Sequence, residues 1–216
     1  MDFNAAARNL ISARGIDLAL DVGANAGQFA ALLRGAYGYE GDVISFEPLV
    51  DAYAKLANAS SGDPNWTCLN IALGDTETTT VINVSQNSWS SSILDVVPRS
   101  VEVEPSIGYV GRQEVTVRRL DNVVRERALD SRSIFLKMDV QGYESQVLLG
   151  SLKILDRVML IQLETSLVPV YKDEPLVGDM IKMLDILGFR VVAVEPGWHD
   201  PKTSELLQMD LMLARK

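Results

Sequence analysis

The chain contains few of the residues from which several common kinds of site are built. It has one cysteine, Cys68, and one histidine, His199, among 216 residues. A single cysteine excludes an internal disulfide and a zinc site made of cysteines. The first residues lack an apolar stretch of signal-peptide length, and no apolar run is long enough to span a membrane. We therefore expect a reduced protein of the cytoplasm.

Positive charge is also scarce, and it is spread along the chain. The formal net charge is −9, from 20 Lys+Arg against 29 Asp+Glu, without a block of lysine or arginine. Nucleic acids and anionic membranes are bound chiefly through clustered basic residues, so the composition argues against both as partners. The length of 216 residues and the apolar content of 47% suit a single α/β domain over residues 1–216.

Short apolar runs alternate with helical patterns along most of the chain. Strands are predicted at 18–22, 43–46, 67–72, 133–138, 158–163, 189–194 and 208–214, and helices at 3–12, 28–37, 51–58, 142–152 and 176–187. This alternation predicts a doubly wound, Rossmann-like α/β sheet that is mostly parallel. The last two strands should pair antiparallel, because the loop between them has no room for a helix. Further strands at 78–84 and 114–118 predict an inserted β-hairpin.

The most informative stretch joins the first predicted strand to the helix after it. Asp21 lies near the end of the strand, and Gly23 and Gly27 open the helix. This is the place where α/β folds hold a nucleotide-like cofactor. Dinucleotide sites read G-x-G-x-x-G, whereas this turn reads D-x-G-x-x-x-G. A carboxylate here would repel a phosphate and suits a positively charged cofactor such as S-adenosylmethionine.

A second acidic residue, Glu47, ends the next predicted strand. It follows Gly27 by 20 residues, the separation at which a carboxylate accepts hydrogen bonds from ribose hydroxyls. The two glycines could instead serve only close packing in a plain turn between strand and helix. That alternative leaves Asp21 unexplained, so a cofactor site is the better interpretation.

Two carboxylates, Asp139 and Glu164, directly follow the predicted strands 133–138 and 158–163. Because the carboxyl ends of parallel strands share one edge of a sheet, we expect both at the cofactor edge. If such a cofactor gives its methyl group to a hydroxyl, the hydroxyl must lose its proton, and a cation held by two carboxylates would ease that loss. Mg²⁺ prefers such oxygen ligands. Alternatively, Asp139 only caps the following helix, which Tyr143 and Glu144 begin.

The only histidine lies in the loop Pro196-Gly-Trp-His-Asp-Pro201 between the last two strands. A tryptophan can stack on a sugar ring, and the imidazole of His199 can accept a proton. These residues predict a neutral glycoside hydroxyl as acceptor, with His199 as a candidate base. An exposed histidine without a role is the alternative. The serine-rich segment 87–94, which contains Trp89, is predicted to be a loop over the cofactor.

Six motifs occur in order over residues 18–164. They are Asp21-Val-Gly-Ala-Asn-Ala-Gly-Gln-Phe29, Phe46-Glu-Pro48, Ala72-Leu-Gly-Asp75, Ser91-Ser-Ile-Leu94, Arg119-Leu-Asp121 and Phe135-Leu-Lys-Met-Asp-Val-Gln-Gly-Tyr-Glu144. As a set they resemble the FkbM family of class I S-adenosylmethionine-dependent O-methyltransferases, many of which act on sugars or sugar-bearing natural products. Gln141 departs from the family pattern, where glutamate is more common, and this puts a charge-based role for the position in doubt.

The resemblance implies a role for each matching residue. The methionine part of the cofactor would contact Asp21, Gly23, Asn25, Gly27 and Phe29. Glu47 would accept from the ribose, Leu73 and Asp75 would flank adenine, and Ser92 would complete the cofactor site; residues 72–75 could equally be a strand end and turn. Apart from the resemblance, the positions at the strand ends and in the last loop assign catalysis to Asp139, Glu164 and His199, the first two as ligands of Mg²⁺. The acceptor would be a small molecule or an oligosaccharide, a mannoside included.

Two other classes of function stay open. An NAD-type oxidoreductase would use a related sheet, although G-x-G-x-x-G and a Ser/Tyr/Lys proton relay are missing from the expected places. A non-catalytic cofactor-binding protein would keep the same fold. The oligomeric state is also open, a homodimer included.

Overall fold

The computed structural model describes residues 2–129 and 132–216. Its helices are α1 Phe3–Ala13, α2 Gln28–Gly35, α3 Val50–Ser60, α4 Pro98–Val103, α5 Leu120–Glu126, α6 Glu144–Leu149 and α7 Val177–Ile186, with 3-10 helices at Pro105–Ile107 and Leu152–Arg157. Its strands are β1 Leu18–Val22, β2 Asp42–Phe46, β3 Trp66–Leu69, β4 Ala72–Leu73, β5 Thr78–Ser85, β6 Tyr109–Arg118, β7 Ile134–Met138, β8 Val158–Ser166, β9 Phe189–Pro196 and β10 Gln208–Arg215.

The main sheet has seven strands in the order β3-β2-β1-β7-β8-β10-β9. The pairs from β3 to β8 are parallel, whereas β10 runs antiparallel to both of its neighbours. This confirms the predicted doubly wound, Rossmann-like sheet with an antiparallel last strand. The chain leaves β1 toward β2 on one side, and β7 returns on the other side. The carboxyl ends of β1 and β7 therefore form the switch point at which such sheets bind ligands.

A second, three-stranded sheet has the order β4-β6-β5. β5 and β6 pair antiparallel, which confirms the predicted inserted hairpin. The predicted strand 67–72 was wrong as one element, because it divides into β3 in the main sheet and β4 in the small sheet. Asn70 makes the break: its side-chain amide donates to the carbonyls of Glu47 and Pro48, at 2.8 and 3.0 Å, and turns the chain.

Helices cover both faces of the main sheet. One face packs buried side chains of β1 and β7 against α5, α6 and α7, and the other packs Ala19 and Phe135 against α1 and α2. All five residues of β1 are buried, as expected for a strand covered on both faces. The helices of residues 2–129 and 132–216 include none that is long and apolar enough to cross a membrane.

Candidate active site

A cavity of about 470 Å³ opens at the carboxyl ends of β1, β2 and β7. This volume lies within the roughly 300–1,000 Å³ of small-molecule sites. The cavity is lined by the turn after β1, by Glu47, by the apolar residues Ile71, Ala72, Leu73, Ile82 and Ile93, by Ser88, Trp89 and Ser91, and by Lys137, Asp139, Gln141, Tyr143, Gln162 and Asp210. The cavity therefore lies at the sheet edge that the sequence predicts.

The turn after β1 is pressed against the end of β7. Gly23 has a φ of 77°, and a Cβ at this position would lie 1.8 Å from the carbonyl oxygen of Asp139. Gly27 has a φ of 93°, and a Cβ there would lie 2.8 Å from the ring of Trp66. Both positions require glycine, because larger side chains would clash and positive φ favours glycine. Asn25 also has a positive φ and lines the cavity, as does Phe29 on α2.

Glu47 lies at the end of β2 and lines the cavity. Its two carboxylate oxygens accept hydrogen bonds from the backbone amides of Asn25 and Leu49, each at 2.8 Å. Burial raises the pKa of Glu47 to about 7, although these two hydrogen bonds oppose the rise. The Glu47 side chain thus joins the turn after β1 to the turn after β2, and its carboxylate lies at the cavity wall.

Asp21 is fully buried and lies behind the lining residues. The hydroxyl of Ser45 donates to its Oδ2 at 3.0 Å, and the Lys137 Nζ lies 3.4 Å from its Oδ1. Burial raises the pKa of Asp21, and the Lys137 charge opposes this rise. The negative charge of Asp21 is therefore balanced mainly by Lys137, and it is Lys137 that faces the cavity.

Lys137 is a site residue that the sequence analysis missed. Its ammonium donates to the carbonyl of Gly23 at 3.2 Å and lies 3.5 Å from the Oδ2 of Asp139. Burial lowers the pKa of Lys137, but Asp139 and Asp21 outweigh that effect and the net shift is upward. The available signal was a lysine inside the otherwise apolar run Ile134–Met138, because an unpaired lysine is rarely buried.

Asp139 and Glu164 are brought together, but through a third residue. The Gln141 Nε2 donates to the Oδ1 of Asp139 at 2.7 Å and to the Oε2 of Glu164 at 2.8 Å. The Asp139 side chain is 40% exposed and lines the cavity, whereas Glu164 lies behind it. Burial, and then the charge of Asp139, raise the pKa of Glu164 well above its usual range.

The donor set at this edge does not fit the predicted Mg²⁺ site. Within residues 2–129 and 132–216, no group of three or more His, Cys, Asp or Glu residues could hold a metal ion. The amide nitrogen of Gln141 lies between the two carboxylates. A cation there would need acceptor oxygens, and an N–H group cannot provide one.

The predicted residues of the adenine side are divided. Leu73 lines the cavity, whereas Asp75 lies beside it and its carbonyl accepts from the guanidinium of Arg119. Ser92 is buried, and its hydroxyl donates to the carbonyl of Gln141 at 2.7 Å. Ser92 therefore supports the turn after β7.

His199 is exposed in the loop between β9 and β10, where it pairs with Leu206, and it lies outside the cavity lining. Among the aromatic residues that line the cavity, Trp89 is the exposed one, at 68%, whereas Phe29 and Phe46 are buried. Trp89 belongs to the serine-rich segment, whose Ser88 and Ser91 also line the cavity. The segment with Trp89 was predicted to lie over the cofactor, and Trp89 does line the cavity. Trp198, the tryptophan that was proposed for stacking on a sugar, is not among the lining residues.

Two more carboxylates lie at this edge. Asp210 on β10 lines the cavity, and burial raises its pKa to about 6. Glu144 is buried and accepts from the backbone amide of Val140 at 2.8 Å, and burial raises its pKa to about 7. Glu144 therefore holds the turn after β7 in shape. Asp210 lies in the predicted strand 208–214 but was not identified as a site residue, because its place at the cavity depends on the pairing of β10 with β8.

The comparisons with known proteins agree with this geometry. A profile of the methyltransferase FkbM domain matches residues 21–191, which is most of the chain. The chain belongs to the FkbM methyltransferase family. A search of curated proteins found no match. The chain is therefore an S-adenosylmethionine-dependent methyltransferase.

Solved structures share the fold at low sequence identity. Magnesium protoporphyrin IX methyltransferase from Synechocystis PCC 6803, with bound S-adenosylmethionine, has 10% identity and a TM-score of 0.51, over 99% of this chain and 78% of its own. The precorrin-6y C5,15-methyltransferase of Geobacter metallireducens GS-15 has 11% identity and a TM-score of 0.50, over 99% and 87%. TehB from Haemophilus influenzae has 9% identity and a TM-score of 0.52, over 99% and 61%.

Proposed function

We propose that this FkbM methyltransferase transfers the methyl group of S-adenosylmethionine to a hydroxyl of a neutral sugar. The acceptor would be a small glycoside, a mannoside included, or an oligosaccharide. The observation that carries the proposal is the position of Asp139, whose partly exposed carboxylate lines the same cavity as the cofactor turn and Trp89. O-methylation requires such a group, because the attacking hydroxyl must lose its proton.

The cofactor half of the cavity consists of Gly23, Asn25, Phe29, Glu47 and Leu73. Its chemistry fits the cofactor: Glu47 can accept from ribose hydroxyls, and Leu73 with its apolar neighbours can cover adenine. The Lys137 ammonium would hold the cofactor carboxylate. Asp21 would hold Lys137 in place. When bound, the cofactor supplies an activated methyl group.

The acceptor half of the cavity consists of Trp89, Asp139, Gln141, Tyr143 and Asp210. Trp89 offers an exposed ring on which the apolar face of a sugar can stack. Asp139 orients the acceptor hydroxyl and takes its proton. The net charge of −9 disfavours a polyanionic acceptor. The proposed mechanism includes no step that uses Mg²⁺, because the side chains at this edge are not a suitable set of ligands for that ion.

The test is release of S-adenosylhomocysteine from S-adenosylmethionine in the presence of neutral mono- and oligosaccharides, followed by location of the new methyl group with a labelled cofactor. The proposal predicts transfer to a sugar oxygen that depends on Asp139. Transfer only to nitrogen, sulfur or carbon acceptors would contradict it. Binding of S-adenosylhomocysteine without transfer to any acceptor would favour the non-catalytic alternative. Thermal stabilisation by NADH rather than by S-adenosylhomocysteine would favour an oxidoreductase.

Three further properties stay predictions: the cytoplasmic location, the single domain over residues 1–216, and a homodimer.

A further inference from the structure

The turn that carries Asp139 is held in a strained backbone conformation. Gln141 has a φ of 57° and Gly142 a φ of 91°. A non-glycine residue with positive φ costs free energy and persists only where its surroundings hold it. Here the Ser92 hydroxyl donates to the Gln141 carbonyl at 2.7 Å, and Gly142 packs against Tyr171. Contacts to Ser92 and Tyr171 thus hold Gln141 in this backbone conformation.

The Gln141 side chain is bound at both ends. Its Nε2 donates to both Asp139 and Glu164, at 2.7 and 2.8 Å, and its Oε1 accepts from the hydroxyl of buried Tyr171 at 2.6 Å. A flipped amide would direct its oxygen toward two carboxylates and would repel them. The hydrogen-bond network therefore determines the orientation of the amide.

Two acidic side chains that meet at one point need a cation, a shared proton or hydrogen-bond donors between them. The donors at this point are neutral amides. Besides Gln141, the Gln208 Nε2 donates to the Oε2 of Glu164 at 3.1 Å. The position between the two carboxylates is thus occupied by the amide nitrogen of Gln141, which cannot coordinate a metal ion.

We propose that Gln141 is a positioning residue that joins Asp139 to Glu164 in place of a divalent cation, so that the enzyme works without one. Because Gln141 binds the Oδ1 of Asp139, the Oδ2 of Asp139 stays directed toward Lys137 and the cavity. The corollary is that a glutamate at position 141 would turn the pair into a set of three carboxylates that binds a cation. The catalytic part of this inference rests on the proposed function, whereas the corollary does not.

The first test measures metal binding without cofactor or acceptor. Mn²⁺ is titrated into the wild-type protein, Gln141→Glu and Gln86→Glu, and bound ion is counted by electron paramagnetic resonance. Gln86 is exposed, so Gln86→Glu is a matched control for the added charge. We expect one bound Mn²⁺ in Gln141→Glu alone. One Mn²⁺ in the wild type that is lost in Glu164→Gln would overturn the proposal, as would no binding in a folded Gln141→Glu.

The second test measures turnover after exhaustive chelation. The wild type should keep its rate, and Gln141→Met should lower kcat by about 10²-fold, because a displaced catalytic group commonly costs that much, with the KM for S-adenosylmethionine unchanged. If Gln141→Met does not fold, Tyr171→Phe removes the hydroxyl that orients the amide and should lower kcat in the same direction. A wild-type rate that vanishes on chelation and returns with Mg²⁺ would refute the proposal. Absence of turnover with every acceptor would refute the proposed function instead, and Mn²⁺ binding would then decide the question of the cation.

Discussion

The two halves of the cavity are assembled in different ways. The cofactor half comes mainly from one short stretch, residues 23–29. Glu47 completes this half, and its carboxylate is held by hydrogen bonds from backbone amides. The acceptor half takes Trp89 from the inserted segment, Asp139 and Gln141 from the turn after β7, and Asp210 from β10. A half built from backbone and adjacent residues holds a constant ligand, whereas a half built from distant side chains can change with the acceptor. Substitutions should therefore separate cofactor binding from transfer.

The largest expected effect is that of Asp139→Asn. The amide keeps the size of the side chain but cannot take a proton, and general bases contribute about 10²–10⁴-fold. We expect kcat to fall by that factor while the affinity for S-adenosylmethionine, measured by calorimetry, stays near that of the wild type. Loss of cofactor affinity in this variant would mean that the two halves are not separable.

Glu47→Ala should have the opposite signature. Loss of a charge-assisted hydrogen bond costs about 1.5–3 kcal/mol, so cofactor affinity should weaken about tenfold to a hundredfold. The KM for the acceptor should change little, because Glu47 belongs to the cofactor half. Unchanged affinity in calorimetry would remove Glu47 from the cofactor site.

Glu144→Gln tests the acceptor half through the pH dependence of folding stability, because Glu144 supports the turn of that half. Its pKa in the folded protein is about 7, raised by burial from 4.5. A raised pKa contributes stability below pH 4.5, and this contribution is lost as pH rises to about 7. The shift corresponds to about 3 kcal/mol at most. Urea unfolding between about pH 4.5 and pH 8 should therefore show a smaller loss of stability in Glu144→Gln than in the wild type. Parallel pH profiles would contradict this assignment.

The smallest expected effects compare two aromatic segments. Trp89→Ala should raise the KM for the acceptor about 2- to 10-fold, since ring contacts contribute about 0.5–1.5 kcal/mol beyond area. His199→Ala should leave the rate nearly unchanged, because His199 is exposed outside the cavity lining. Steady-state kinetics on one acceptor measures both. A rate lost in His199→Ala and kept in Trp89→Ala would restore the base predicted from sequence.

The same division explains what the sequence could predict. The glycine turn and Glu47 were recognisable because their spacing is local and their chemistry follows from a strand, a turn and a helix. Asp139 and Glu164 were placed at one edge because parallel strands end together, yet the amide of Gln141 between them depends on a strained turn. The segment with Trp89 was predicted as a loop over the cofactor from its serine-rich composition between two strands. Asp210 was not found as a site residue, because its place at the cavity depends on the pairing of β10 with β8, which are distant in sequence. The bend at Asn70 is equally non-local, since its partners Glu47 and Pro48 lie in the turn after β2.

The contact between Gly23 and the carbonyl of Asp139 has a consequence for how this enzyme can diversify. The backbone amide of Asp139 also donates to the carbonyl of Val22 at 3.0 Å, so main chain meets main chain at this point. The spacing between the turn after β1 and Asp139 is therefore set by main-chain contacts rather than by side chains. If Asp139 is the base, as proposed, substitutions around Trp89 and on β10 are expected to change the choice of acceptor without changing this spacing.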